Sequence, residues 1–161
     1  IVNYQTMLIE TTEQISRMLD SELARLQQGI ITAHEQAGQV ATGRTKAMLE
    51  HNVSGMSGVL LGAPWTFTLE RGRGPAHGGN SKGAFLENLK QWIVAKGIPY
   101  KDNADLERLA NFFRWHINKF GTRLWQSGGR QDIFTPAINE FSDNVANGVA
   151  SIYVEEIISN L

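Results

Sequence analysis

The 161-residue chain contains no cysteine, which excludes disulfides, cysteine-ligated zinc, iron–sulfur clusters and thiol catalysis. Its four histidines, at positions 34, 51, 77 and 116, have neither HxxxH nor HExxH spacing, so no metal site is expected. His116, between Trp115 and Ile117, reads as a packed or rim residue of a helix. No stretch approaches the roughly 20 consecutive apolar residues of a membrane span. The amino end also lacks the basic-then-apolar pattern of a signal peptide, so the expectation is a soluble protein that is not secreted and has no membrane partner. The chain opens on Ile1 rather than Met, and a few preceding residues are expected to have been lost or removed.

Catalytic and nucleotide motifs are lacking too. The segment GGNSKG, Gly78 to Gly83, does not follow the GxxxxGK[ST] order of a phosphate loop, and the glycines of Arg71-Gly72-Arg73-Gly74-Pro75 lack the GxGxxG spacing of dinucleotide folds. No GxSxG frames a serine nucleophile. Glu70 is the one carboxylate considered for acid–base work, as in cell-wall hydrolysis, and no partner for it is identifiable. An ion pair from Glu70 to Arg71, Arg73 or a neighbouring subunit's arginine is the simpler expectation. No cofactor is expected.

What is present suits a folded domain. Apolar residues make up 42% and charged residues 19% of the chain, and a chain of this length buries roughly two-thirds of the surface its unfolded form exposes. The net charge of −1 hides segregation. Residues 1–37 carry five acids against Arg17 and Arg25, residues 38–130 thirteen basic against six acidic residues, and residues 131–161 five acids with no Lys or Arg. Acidic helical faces explain this pattern, and so does a polarised oligomer or a surface facing a polyanion.

Helical spacing of Leu8, Ile15, Leu19, Leu23, Leu26 and Ile30 predicts one long helix from about Asn3 to Ala37, stopped by Gly38, with a break near Gly29 as the alternative. Such a helix, roughly 50 Å long, exceeds the needs of this domain, so part of it should project or pack on a neighbour. After the turn at Ala41 to Thr45, the segment through Asn52 is ambiguous. Val53 to Pro64, with three glycines around Val59-Leu60-Leu61, suits a bulged strand or hairpin better than a helix. Alternation of Trp65, Phe67 and Leu69 predicts a strand pairing antiparallel with it, ended by the RGRGP turn.

Ala76 to Lys82 reads as a mobile loop. Phe85, Leu86, Leu89, Trp92 and Ile93 mark a helix ending at Gly97. Asp102 or Asn103 caps the next, which runs to Gly121, and these two helices are expected to cover a sheet face. Arg123 to Asp132 reads as a second basic, glycine-bearing loop with an exposed Trp125. Thr135 as cap and Pro136 at the first helical position start the last helix. The expected fold is α+β in a single domain: a long first helix over 1–37, then a body over 38–161 with a small antiparallel sheet and three further helices covering it. Arg71, Arg73, Lys82, Lys119, Arg123 and Arg130 in loops near Trp125 suit contact with phosphates without sequence preference, and solvated loop charges explain them equally well.

ATGR at 41–44, LERGRGP at 69–75, LKQWIVAKGI at 89–98, INKFGTRLW at 117–125 and DIFTPAINE at 132–140 occur in an order that resembles the tail-completion or neck proteins of tailed bacteriophages. The match spans about residues 38–150. Each motif is short, and their order and spacing carry the resemblance. It implies a structural virion protein and not an enzyme: a hexameric or dodecameric ring in the head-to-tail region, joining portal or adaptor to tail and lining the genome passage, assembled in the host cytoplasm. Glu70 and Gly72 match the family's acidic-glycine motif, Gly121 and Thr122 its xGT turn, and Pro136 the start of its closing helix. The 76–83 segment is more glycine-rich than in that family, and the Trp125 to Arg130 loop is longer. Glu70, Arg71, Gly72, Arg73, Lys82, Arg123, Trp125 and Arg130 are therefore the candidates for a ring interface or a DNA-facing lumen. A second expectation, from another class, is a nucleic-acid-binding module of a phage or mobile element that acts without sequence specificity.

Overall fold

The computed structural model describes residues 4–76 and 82–159; the expected mobile loop lies mostly outside them. The fold is α+β, with a long first helix, a two-stranded antiparallel sheet and further helices. Helix α1, Tyr4–Gln36, is continuous through Gly29. That glycine costs about 1 kcal/mol relative to alanine. Its neighbours outweigh it, because Leu26, Ile30 and Ile31 are buried and each such side chain contributes roughly 1.5–3 kcal/mol. Gly38, at φ +65°, ends the helix. Gly38 N–H donates to Glu35 O at 3.0 Å and Gln39 N–H to His34 O at 3.4 Å, the paired bonds of a Schellman stop.

A short turn of helix, α2, spans Arg44–Ala47. Strands β1, Glu50–Ser54, and β2, Ser57–Leu61, then form a hairpin with Ser54 opposite Ser57. Gly55, at φ +59°, is the first of its two turn residues, a position that favours glycine in such connections. The hairpin lies against α1: Gln27 Nε2 donates to Leu49 O at 2.7 Å, and Val53 and Leu60 join the cluster of Leu23, Leu26, Ile30, Ile31, Leu49 and Ile133. The ambiguous segment ahead of Val53 thus holds the end of α2 and the start of the first strand.

The strand expected over Trp65 to Leu69 is not one. Thr66 N–H donates to Ala63 O and Leu69 N–H to Thr66 O, and helix α3 occupies Thr68–Arg71. Alternation over five residues is too short to outweigh local turn bonding. The three apolar residues also part company: Trp65 packs under Arg44, Leu69 enters the α1 cluster, and Phe67 is 76% exposed.

Helices α4, Lys82–Ala95, and α5, Asn103–Phe120, pack chiefly on each other and not over the sheet as expected. Leu89, Ile93 and Ala110 form their own buried cluster, and Trp92 meets Phe113 edge-on at 5.7 Å. Asp102 caps α5 by accepting from Asp105 N–H at 2.8 Å. The sheet itself is too small to shield two helices, and α1 already occupies one face.

The expected loop at 123–132 contains a helical turn, α6, Arg123–Gln126. The last helix, α7, Thr135–Ser159, runs antiparallel along α1: Gly29 faces Ala137, Asn144 Nδ2 donates to Glu22 at 2.9 Å, and Gly148 faces Met18. The result is a two-helix arm that carries α7 toward the first turns of α1.

Candidate functional site

Glu70, at the end of α3, organises the loops expected to carry function. One carboxylate oxygen accepts from Ile133, Phe134 and Thr135 N–H at 2.8, 2.6 and 3.2 Å, and the other from the Thr135 hydroxyl at 3.3 Å. These are the orphan donors at the start of α7, where a negative charge also meets the positive end of the helix dipole. Glu70 pairs with no arginine side chain among the described residues, contrary to the pair with Arg71 or Arg73 expected from sequence. Its backbone oxygen accepts from Arg130 N–H at 2.8 Å.

Gly72 is buried at φ +70°. A Cβ there would stand 2.4 Å from Trp125 N and 2.7 Å from Thr122 Oγ1. The RGRG loop therefore lies directly on the Gly121-Thr122 turn: Thr122 N–H donates to Arg73 O at 2.8 Å and Arg73 N–H to Thr122 Oγ1 at 2.9 Å. The Trp125 ring covers Gly74 and Gly121, yet the residue remains 48% exposed.

The cationic candidates separate. Arg130 forks onto Asp132, and that hydrogen-bonded contact holds the Asp132 carboxyl below its ordinary range. Arg123 is exposed on α6. Arg71 is exposed at the rim of an apolar groove of about 450 Å³ lined by Leu26, Leu60, Phe134 and Ile138. Lys82 opens α4, and its side chain lies outside the described residues.

Arg73 turns elsewhere. It stacks on Phe85 at 3.7 Å from the ring centre, donates to Asn118 Oδ1 at 3.3 Å, and burial pushes its pKa down. Arg44, absent from the expected site, faces the same cleft of about 710 Å³. It lies over Trp65 at 5.1 Å and donates to Asn88 Oδ1 at 3.0 Å. Sequence spacing offered no way to join Arg44, Trp65, Arg73, Phe85 and Trp92, which come from three separated segments. The one signal was that ATGR and RGRGP each put arginine beside a turn glycine.

Two further surfaces stand open. On α5, Phe112, Trp115 and Phe120 are 56%, 53% and 43% exposed, and Lys119 Nζ lies about 5 Å from the Trp115 and Phe120 ring centres. On the arm, Leu8, Ile9, Tyr153, Val154, Ile157 and Ile158 are exposed, with Glu10, Glu13 and Glu155 among them. Among the described residues no cluster of His, Asp and Glu is arranged to hold a metal ion, and no helix is long and apolar enough to cross a membrane. No protein-family model, curated protein or solved structure matches the chain.

Proposed function

We propose that this protein is a ring-forming structural component of the head-to-tail region of a tailed bacteriophage, a neck or tail-completion subunit with no catalytic role. The observation that carries the reading is one chain with two open apolar surfaces of opposite charge. The arm end combines exposed aliphatic residues with acids, and residues 131–161 contain no Lys or Arg at all. The α5 face combines exposed aromatics with Lys119, whose Nζ lies over two of them. A contact between the arm of one copy and α5 of the next is heterologous, and repeated at a closing rotation it generates a ring. Depletion of exposed apolar surface is the rule for monomers, so two such patches on one small chain favour partners.

The motif order from ATGR to DIFTPAINE supports the choice of neck protein over other ring assemblies. In this reading the exposed Arg71 and Arg123 face the genome passage or the adjoining portal, adaptor or tail ring, and residence is in the virion after assembly in the host cytoplasm. Contact with DNA would rest on phosphate attraction and would weaken with salt.

Light scattering tests the assembly step. Wild-type protein at high concentration should give the mass of a closed oligomer, Lys119→Glu should reduce it to a monomer, and adding Glu155→Lys should restore it in part. A monomeric wild type, or an assembly indifferent to both reversals, contradicts the proposed contact.

A further inference from the structure

We infer that the cleft between the ATGR turn and α4 is a binding site for a phosphate ester carrying an aromatic base, a nucleotide unit either free or within a nucleic-acid strand. Arg44 and Arg73 reach it from two turns, and each lies over an aromatic ring, Trp65 or Phe85. Each also makes one side-chain hydrogen bond among the described residues, to Asn88 and Asn118 respectively. A guanidinium carries five N–H donors, so most of them stay uncommitted. Amide partners orient the group without neutralising it.

Three of the seven arginines outside the cleft lie on carboxylates: Arg25 on Glu22, Arg108 on Asp105, Arg130 on Asp132. Neither cleft arginine has a carboxylate within 4.0 Å among the described residues, and no Asp or Glu is among the described residues lining the cleft. Keeping an uncompensated, partly desolvated Arg73 has a free-energy cost that an anionic ligand would remove. Fork geometry suits phosphate oxygens. The same walls offer the hydroxyls of Thr42 and Thr45, and the indole of Trp92, 36% exposed, as a surface for a base. A volume of about 710 Å³ falls in the range of small-molecule sites, roughly 300–1,000 Å³.

This site does not depend on ring formation. It is tested on the full chain, in wild type and in the Lys119→Glu background, by titrating tryptophan fluorescence with inorganic phosphate, deoxyadenosine monophosphate and a single-stranded oligothymidylate. Saturable quenching by the mononucleotide or the oligonucleotide is expected, weakened at least tenfold in Arg44→Gln/Arg73→Gln, with circular dichroism unchanged. Arg44→Lys/Arg73→Lys should recover only part of the affinity. Arg17→Gln/Arg25→Gln, which alters exposed charge on α1 outside the cleft, should bind as wild type does. Tighter binding of the mononucleotide assigns the site to free nucleotide, and tighter, salt-sensitive binding of the oligonucleotide assigns it to a strand. No saturable binding of either, equal affinity for inorganic phosphate, or equal losses in the two glutamine pairs would overturn the inference. A failure here with rings intact leaves the assembly reading standing, and the reverse outcome separates them equally.

Discussion

Glu70 and Phe134 lie 64 residues apart in the chain, yet Glu70 Oε1 accepts from Phe134 N–H at 2.6 Å. The same oxygen takes the N–H groups on either side. The acid of the LERGRGP segment is thereby a capping group for the final helix, supplied from a distant turn. Replacement by glutamine keeps an acceptor and removes the charge, and should destabilise by about 1 kcal/mol. Alanine leaves several part-buried donors unpaired and should cost about 2–3 kcal/mol. Urea denaturation of both variants measures the difference; equal losses would mean that packing, not capping, is what Glu70 supplies.

Gly72 should tolerate nothing larger. Its φ of +70° and the 2.4 Å approach to Trp125 N combine left-handed strain with a clash against backbone. Gly72→Ala is expected to cost roughly 2–4 kcal/mol. It should also shift Trp125 fluorescence, because the loop must lift off the turn that holds the indole. A variant as stable as wild type would show that the two loops are not locked together.

Stability should fall as the solution is acidified through the histidine range. His34 is buried on α1, and burial is the main cause of its lowered pKa, with nearby Lys96 acting in the same direction against Glu35. The folded state therefore prefers the neutral ring. Stability is fully present above the ordinary value of 6.5 and is lost as pH drops below it toward the folded pKa, with a limiting slope of about 1.4 kcal/mol per pH unit. Unfolding midpoints compared at pH 7.5 and 5.5 should converge in His34→Gln. If the variant keeps the wild-type slope, other groups carry it.

Arg130→Ala should be nearly silent for stability. Its partner Asp132 is exposed and two residues away, and surface pairs of this kind contribute little to stability. Its structural contribution is the backbone bond to Glu70 O, which alanine retains. A large loss in thermal midpoint would point to a role for the guanidinium beyond the Asp132 pair.

Periodicity made the helices legible. Apolar spacing located α1, α4, α5 and α7, because each buries a stripe, and cap chemistry located the start at Asp102, whereas α7 begins one residue earlier than expected, with Thr135 inside the helix and its hydroxyl donating to Glu70. The Trp65 segment misled because five alternating residues carry little information once Pro64 and local turn bonds compete. Hairpin register stayed hidden for a related reason: Glu50 to Asn52 are polar, and their pairing depends on β2. Within the site, Gly72 and Arg73 were found through the loop they punctuate. Arg44 and Trp92 were not, since only tertiary docking of the turn at Ala41 to Thr45 against α4 brings them to one cleft. The role of Glu70 was also invisible, because its partners are backbone donors that no residue type announces.

The most direct measurement is the mass of the purified wild-type protein in solution by sedimentation, followed across concentration beside Lys119→Glu and Lys119→Glu/Glu155→Lys. A discrete closed oligomer, broken by the first reversal and partly recovered by the second, is the expected result. A single monomeric species at every concentration, in all three proteins, would contradict the central claim that this subunit works by joining copies of itself.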